Sequence, residues 1–149
     1  MALKEQLLTD IKAAMKAGEA DKLTVLRGVS SSLKNAEIAK QMKAGASASL
    51  TDEEMLSVVM SEAKKRRDSI AAFADSRPEL AANEQKELEI LQAYLPKQLS
   101  EAEVEKEIDR LMAESGVKEF GPLMKVVMAS LKGKADGQLI TNIIKKKLG

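Results

Sequence analysis

The 149-residue chain has no cysteine, no histidine and no tryptophan, and only one tyrosine, two phenylalanines and three prolines. Each absence removes a class of chemistry. Without cysteine there is no disulfide framework and no thiolate nucleophile; without histidine the chain lacks the usual metal ligand and the usual near-neutral general base. Zinc sites, Cys-His catalysis and Ser-His-Asp triads are thereby excluded, and no metal or cofactor is expected. Neither sign of charge dominates, since 24 basic residues face 23 acidic ones for a net charge of +1. The opening Met1-Ala-Leu-Lys-Glu5 carries an acid and leads into no long apolar run. Neither a signal peptide nor a membrane anchor is expected, and the default compartment is the cytoplasm.

What the chain does contain is helix-forming material. Apolar residues make up 44% of it, enough for a core. They recur at three- and four-residue spacing, and no stretch alternates with period two over a strand's length, so an all-α protein is expected. The first helix should span Leu3 to Ala17 with Leu7, Leu8, Ile11, Ala14 and Met15 on one side, stopped by Gly18. Asp21 should cap a second helix reaching Met42 on a stripe of Leu26, Val29, Leu33 and Ala36. Lys43 to Leu50 then reads as a mobile, small-residue loop.

Thr51-Asp-Glu-Glu54 has the form of a capping box and should start a third helix with Leu56, Val59, Ala63, Ile70 and Ala74 inward. It should end before Arg77-Pro78, because the residue before proline avoids helical angles. Pro78 suits the first turn of a fourth helix, carrying Leu80, Leu88, Leu91 and Leu95. The segment Leu95-Pro-Lys-Gln-Leu-Ser100 breaks the pattern, and a domain boundary is placed there, giving domains 1–95 and 96–149. Beyond it three short helices are expected, Glu101 to Ser115, Pro122 to Leu131 and Asp136 to Leu148. The architecture is thus an N-terminal domain of about four helices and a small C-terminal three-helix bundle.

Charge is unevenly distributed along this framework. Residues 1–50 hold 8 basic and 5 acidic side chains, residues 51–115 hold 9 and 16, and residues 116–149 hold 7 and 2. The basic end is where an anionic partner would dock.

Four stretches, in order, resemble those of the YqeY-like proteins along essentially the whole chain. They are Leu33-Lys-Asn-Ala-Glu-Ile38, Lys64-Lys-Arg-Arg-Asp-Ser-Ile70 with Phe73, Ile90-Leu-Gln-Ala-Tyr-Leu-Pro-Lys-Gln-Leu-Ser100, and Leu131-Lys-Gly-Lys-Ala-Asp-Gly-Gln-Leu139. That family looks like free-standing relatives of the helical tail of the B subunit of tRNA-dependent amidotransferases, carbon-nitrogen ligases that use glutamine as amide donor. The resemblance implies a two-part helical protein, with tRNA contact as the tail's role. A tail relative without the catalytic domains is expected to be a non-catalytic, tRNA-directed accessory protein. The rivals are a protein-protein interaction module without RNA binding, and a component of an amidotransferase-like complex using glutamine.

Catalysis by the chain itself finds little support. Ser30-Ser-Ser32 with Lys34 only superficially echoes a Ser-Ser-Lys amidase, and these serines lie inside a helix, where hydroxyls bond back to the preceding turn. No glycine-rich phosphate loop occurs. The candidate RNA-binding residues are Lys125, Lys132, Lys134, Lys145, Lys146 and Lys147, with Lys132-Gly-Lys-Ala-Asp136 as a turn able to present lysines to a phosphate. With Phe73, Tyr94 and Phe120 expected in the core or at the boundary, recognition would read a folded RNA's shape through its phosphates. Helix-wheel positions place Glu37 beside the stripe of the second helix and Arg66 and Arg67 beside that of the third. An ion pair of Glu37 with Arg66 or Arg67 is therefore expected.

Overall fold

In a computed structural model that describes residues 2–149, the chain forms seven α-helices and, among those residues, no strand. They are α1 (Ala2–Ala17), α2 (Ala20–Ala44), α3 (Asp52–Phe73), α4 (Pro78–Gln92), α5 (Glu101–Ser115), α6 (Phe120–Leu131) and α7 (Gly137–Leu148). The chain divides into two compact units, one ending at Leu95 and one running Pro96–Gly149.

Local chemistry sets most helix ends. Gly18, at φ 69°, terminates α1 in a left-handed conformation that a residue bearing a Cβ would resist. The Thr51 hydroxyl accepts from the Glu54 N–H at 3.1 Å at the start of α3. Ser100 and Glu103 form a full reciprocal capping box, at 3.2 Å and 3.1 Å. Two starts differ from expectation. Helix α2 begins at Ala20 with Glu19 as a cap that makes no side-chain bond, so Asp21 lies within the first turn, where its charge favours the helix N-terminus. Helix α6 begins at Phe120, ahead of Pro122, because the first turn of a helix tolerates proline's missing N–H.

In the first unit, α1 packs on α2, α3 on α4, and α2 touches both α3 and α4. Its core is built from Leu7, Ala14, Val25, Leu26, Val29, Leu33, Leu50, Met55, Val59, Leu91 and Tyr94. The α1 stripe is narrower than expected, since Leu7 and Ala14 are buried while Leu8 and Met15 are more than half exposed. The 43–50 loop, expected to be mobile, is pinned. Lys40 Nζ donates to the Ser49 carbonyl at 2.8 Å, Gln41 Nε2 to the Ala48 carbonyl at 3.0 Å, and Leu50 enters the core.

The second unit closes on Val104 and Ile108 of α5, Leu123, Val127 and Leu131 of α6, and Ile140, Ile143 and Ile144 of α7. Each of the three helices contacts the other two.

The expected Glu37 pair with Arg66 or Arg67 does not form. Glu37 faces Lys4 of α1 at 4.0 Å, whereas Arg66 Nε lies 3.1 Å from Glu87 and 3.6 Å from Glu84 on α4. Arg67 makes no ion pair among the described residues. The reason is packing: α1 covers the flank of α2 that carries Glu37, and α4 covers the flank of α3 that carries Arg66.

Candidate nucleic-acid interface

The Lys132–Asp136 turn between α6 and α7 is the best-defined basic feature of the second unit. Its backbone is tied to the segment before α5. Gln98 Nε2 donates to the Gly133 carbonyl at 2.6 Å and to the Pro96 carbonyl at 2.8 Å, and the Leu99 N–H donates to the Lys134 carbonyl at 2.8 Å. Gly133 adopts φ 77°, and the Lys134 N–H closes back on Leu131 at 2.9 Å. With the carbonyls of the turn drawn toward residues 96–99, the Lys134 side chain is left exposed and Lys132 half-exposed. Two of the four stretches that carry the sequence resemblance therefore meet here. Sequence reading marks Leu95 to Ser100 as a boundary within a family motif and assigns no role to the strut, Gln98, or to the neighbouring exposed Lys97.

The remaining candidates divide. Lys145 and Lys146 are exposed in the last turn of α7, where a cation also complements the helix dipole. The rise of 1.5 Å per residue puts them roughly 12–15 Å along the axis from the start of α7, so they and the turn mark its two ends. Lys125 is exposed on α6. It follows Met124, whose sulfur lies 4.0 Å from the Thr141 hydroxyl, which sets it level with the middle of α7. Lys147 is different: its ammonium lies 2.7 Å from Asp109 and 3.3 Å from Glu105, stapling α7 to α5. The Asp109 carboxylate raises its pKa above the usual lysine value, with Glu105 adding to the effect, and its charge is thus neutralised within the fold.

Acids lie near some of these lysines. Glu107 receives Arg110 and the Ser130 hydroxyl, the latter at 3.1 Å, and its carboxyl is held below the usual range, chiefly by Arg110 and more weakly by Lys134. Glu103 is lowered by its bonds to Ser100, with Lys97 and Lys106 contributing. Asp136 caps α7 through a long 3.5 Å contact to the Gln138 N–H.

The first unit offers no catalytic constellation at the serines. Ser32 donates to Glu62 Oε1 at 2.9 Å across the α2–α3 interface, and does not bond back to its own helix as expected. Ser30 and Lys34 line a cleft without a converging base or oxyanion loop. Among the described residues no group of three or more acidic side chains is arranged to hold a metal ion, and no helix is long and apolar enough to cross a membrane.

The family model of Yqey-like proteins matches residues 4–148, and the chain belongs to this family. It is similar to "Altered inheritance of mitochondria protein 41, mitochondrial" of Saccharomyces cerevisiae, 34% identical over 134 residues, covering 85% of this chain and 66% of the yeast protein. The chain thus spans just under two thirds of that relative. A shorter stretch is related to the E subunit of glutamyl-tRNA(Gln) amidotransferase. The match is 45% identical over 67 residues in Methanocaldococcus jannaschii, 40% of this chain and 11% of that protein. In Thermococcus sibiricus it is 42% identical over 57 residues, 34% and 9% respectively. Both of these relatives are amidotransferase subunits of the E type.

Proposed function

We propose that the protein is a non-catalytic, tRNA-directed accessory factor related to the amidotransferase subunits. In this reading residues 1–95 and 96–149 act as separate domains of four and three helices, and the second carries the RNA face. The observation that carries the reading is the relation to the amidotransferase E subunit over 40% of this chain but only 11% of that larger protein, so that most of that subunit has no counterpart in the match. The pinned Lys132–Lys134 turn supports it, with Lys125, Lys145 and Lys146 as further phosphate contacts. The Ser30–Ser32 segment supports the non-catalytic part, because Ser32 is engaged by Glu62 and, among the described residues, no oxyanion loop converges on Ser30 and Lys34.

The test is a titration of fluorescent bulk tRNA at about 50 and about 200 mM salt, where each phosphate contact makes binding more salt-sensitive. Binding should weaken steeply with salt. Lys134→Glu with Lys145→Glu should lower affinity at least about tenfold and flatten the salt slope by about one per lysine lost. Absence of binding at low salt would overturn the reading.

A further inference from the structure

The first unit leaves four large apolar side chains uncovered on two adjacent helices. Leu8 and Met15 of α1 are 52% and 55% exposed, and Ile38 and Met42 of α2 are 46% and 84% exposed. Only Phe120 joins them among the large exposed apolar side chains of the described residues. Helical spacing sorts them into ridges. Lys4, Leu8, Lys12 and Lys16 are successive i+4 positions on α1 with Met15 alongside, and Lys34, Ile38 and Met42 are successive i+4 positions on α2. The Lys4–Glu37 contact at 4.0 Å shows that the two ridges run side by side at that level.

Between the ridges opens a cleft of about 330 Å³. Its floor is apolar and buried, formed by Leu7, Leu33, Leu50 and Met55; Lys4, Leu8, Ser30 and Lys34 stand at its rim. The wall is preformed, because the bonds of Lys40 to Ser49 and of Gln41 to Ala48 hold Leu50 in place. A rigid apolar slot avoids the ordering penalty of binding and has room for a large side chain.

Charge chooses the occupant. Glu37, the one acid among the described residues lining the cleft, faces Lys4 at 4.0 Å, whereas Lys34 at the rim and Lys12, Lys16 and Lys43 along the two helices are exposed. A second copy of the chain would set this basic rim against another basic rim, and RNA has no aliphatic side chain to fill the floor. We propose that the α1–α2 cleft is a docking site for an amphipathic helix of a partner protein. Its apolar residues at i, i+3 or i+4, and i+7 enter the cleft and cover Leu8, Ile38 and Met42, and its flanks are acidic. The exposed methionines let the surface adapt to the partner's side chains.

The test uses the full chain as bait for a displayed library of random peptides of about 18 residues, five helical turns. The counter-selection uses a Leu8→Glu/Ile38→Glu variant, whose changes fall at exposed positions and whose melting must match the parent. The expected result is enrichment of sequences with helically spaced apolar residues between acidic flanks. The best of them, synthesised, should shift the methyl resonances of Leu50 and Met55 and bind the variant at least about tenfold more weakly. A version with lysines in place of its acids should bind no better than the variant does. Three results would overturn the proposal: no enrichment over the variant, a consensus without acidic flanks, or a concentration-dependent dimer of this chain that Leu8→Glu/Ile38→Glu abolishes.

Discussion

Gln98 and Gly133, 35 residues apart in sequence, are joined by a 2.6 Å hydrogen bond from a side-chain amide to a buried glycine's carbonyl. The same amide bonds Pro96, so one side chain fixes both the entry into the second unit and the turn that displays Lys132 and Lys134. Gln98→Ala should cost about 1–3 kcal/mol, the penalty for leaving a buried carbonyl unpaired. Trypsin should cut the variant faster after Lys132 and Lys134 under native conditions. Unchanged melting together with unchanged cleavage would show that the amide is not a strut.

Arg66 should be more valuable to the fold than Glu37. Arg66→Ala leaves Glu84 and Glu87 facing each other without their cation and should lose about 1–3 kcal/mol in urea denaturation. Glu37→Gln loosens only the exposed contact to Lys4 and should stay within about 0.5 kcal/mol. Comparable losses in the two variants would contradict the observed pairing.

The chain carries carboxyl groups with opposite responses to pH. Burial raises the Glu87 carboxyl above its usual value, with Glu84 and Asp21 adding to it and Arg66 only partly opposing. A raised carboxyl favours the folded state when protonated, so its contribution is full below the unfolded value and is lost as pH rises through the folded one. Glu87→Gln should therefore hold or raise stability near pH 7 relative to its effect near pH 4. Glu103, lowered by Ser100, and Glu107, lowered by Arg110, behave the other way. Their contribution is present above the ordinary glutamate value of 4.5 and is lost as pH falls through the lowered values. In a Ser100→Ala variant the Glu103 carboxyl should titrate closer to 4.5, as read by carboxyl NMR.

Ile108 is fully buried among Val104, Leu123, Val127 and Ile144, which are also inaccessible to solvent. Ile108→Ala should cost about 2–5 kcal/mol by transfer and cavity terms. A small unit has little stability to lose, so its α5–α7 amides should exchange rapidly in the variant. Persistence of their protection would argue against this core.

Legibility in the sequence followed the range of the interaction. Helix ends written in one or two residues, such as Gly18, Thr51 and Pro78, can be read directly because the signal and the end it sets are neighbours. The start of α2 cannot, since Glu19 offers no side-chain bond and Asp21 looks the better cap. Periodicity locates the inward face of α1 but not its width, which depends on how far α2 reaches across, and so Leu8 and Met15 are expected inside. A helical wheel places Glu37 and Arg66 on flanks but cannot say which helix lies against each. The basic end is visible as composition. That Lys147 is held by Asp109 and Glu105, about 40 residues upstream, depends on the bundle closing.

Tyr94 is the chain's one tyrosine, it is 8% exposed, and its hydroxyl donates to the Asp10 carboxylate, a bond that together with burial raises its pKa well above the usual phenol value. With tryptophan absent, this ring is the dominant intrinsic fluorophore of the protein. A phenol bonded to a carboxylate is quenched, so opening of the first unit should turn its emission on, while events confined to α5–α7 leave it dark. Far-ultraviolet circular dichroism sums both units. The molecule thus carries a built-in optical reporter that, read against dichroism, separates the melting of one unit from that of the other without any label.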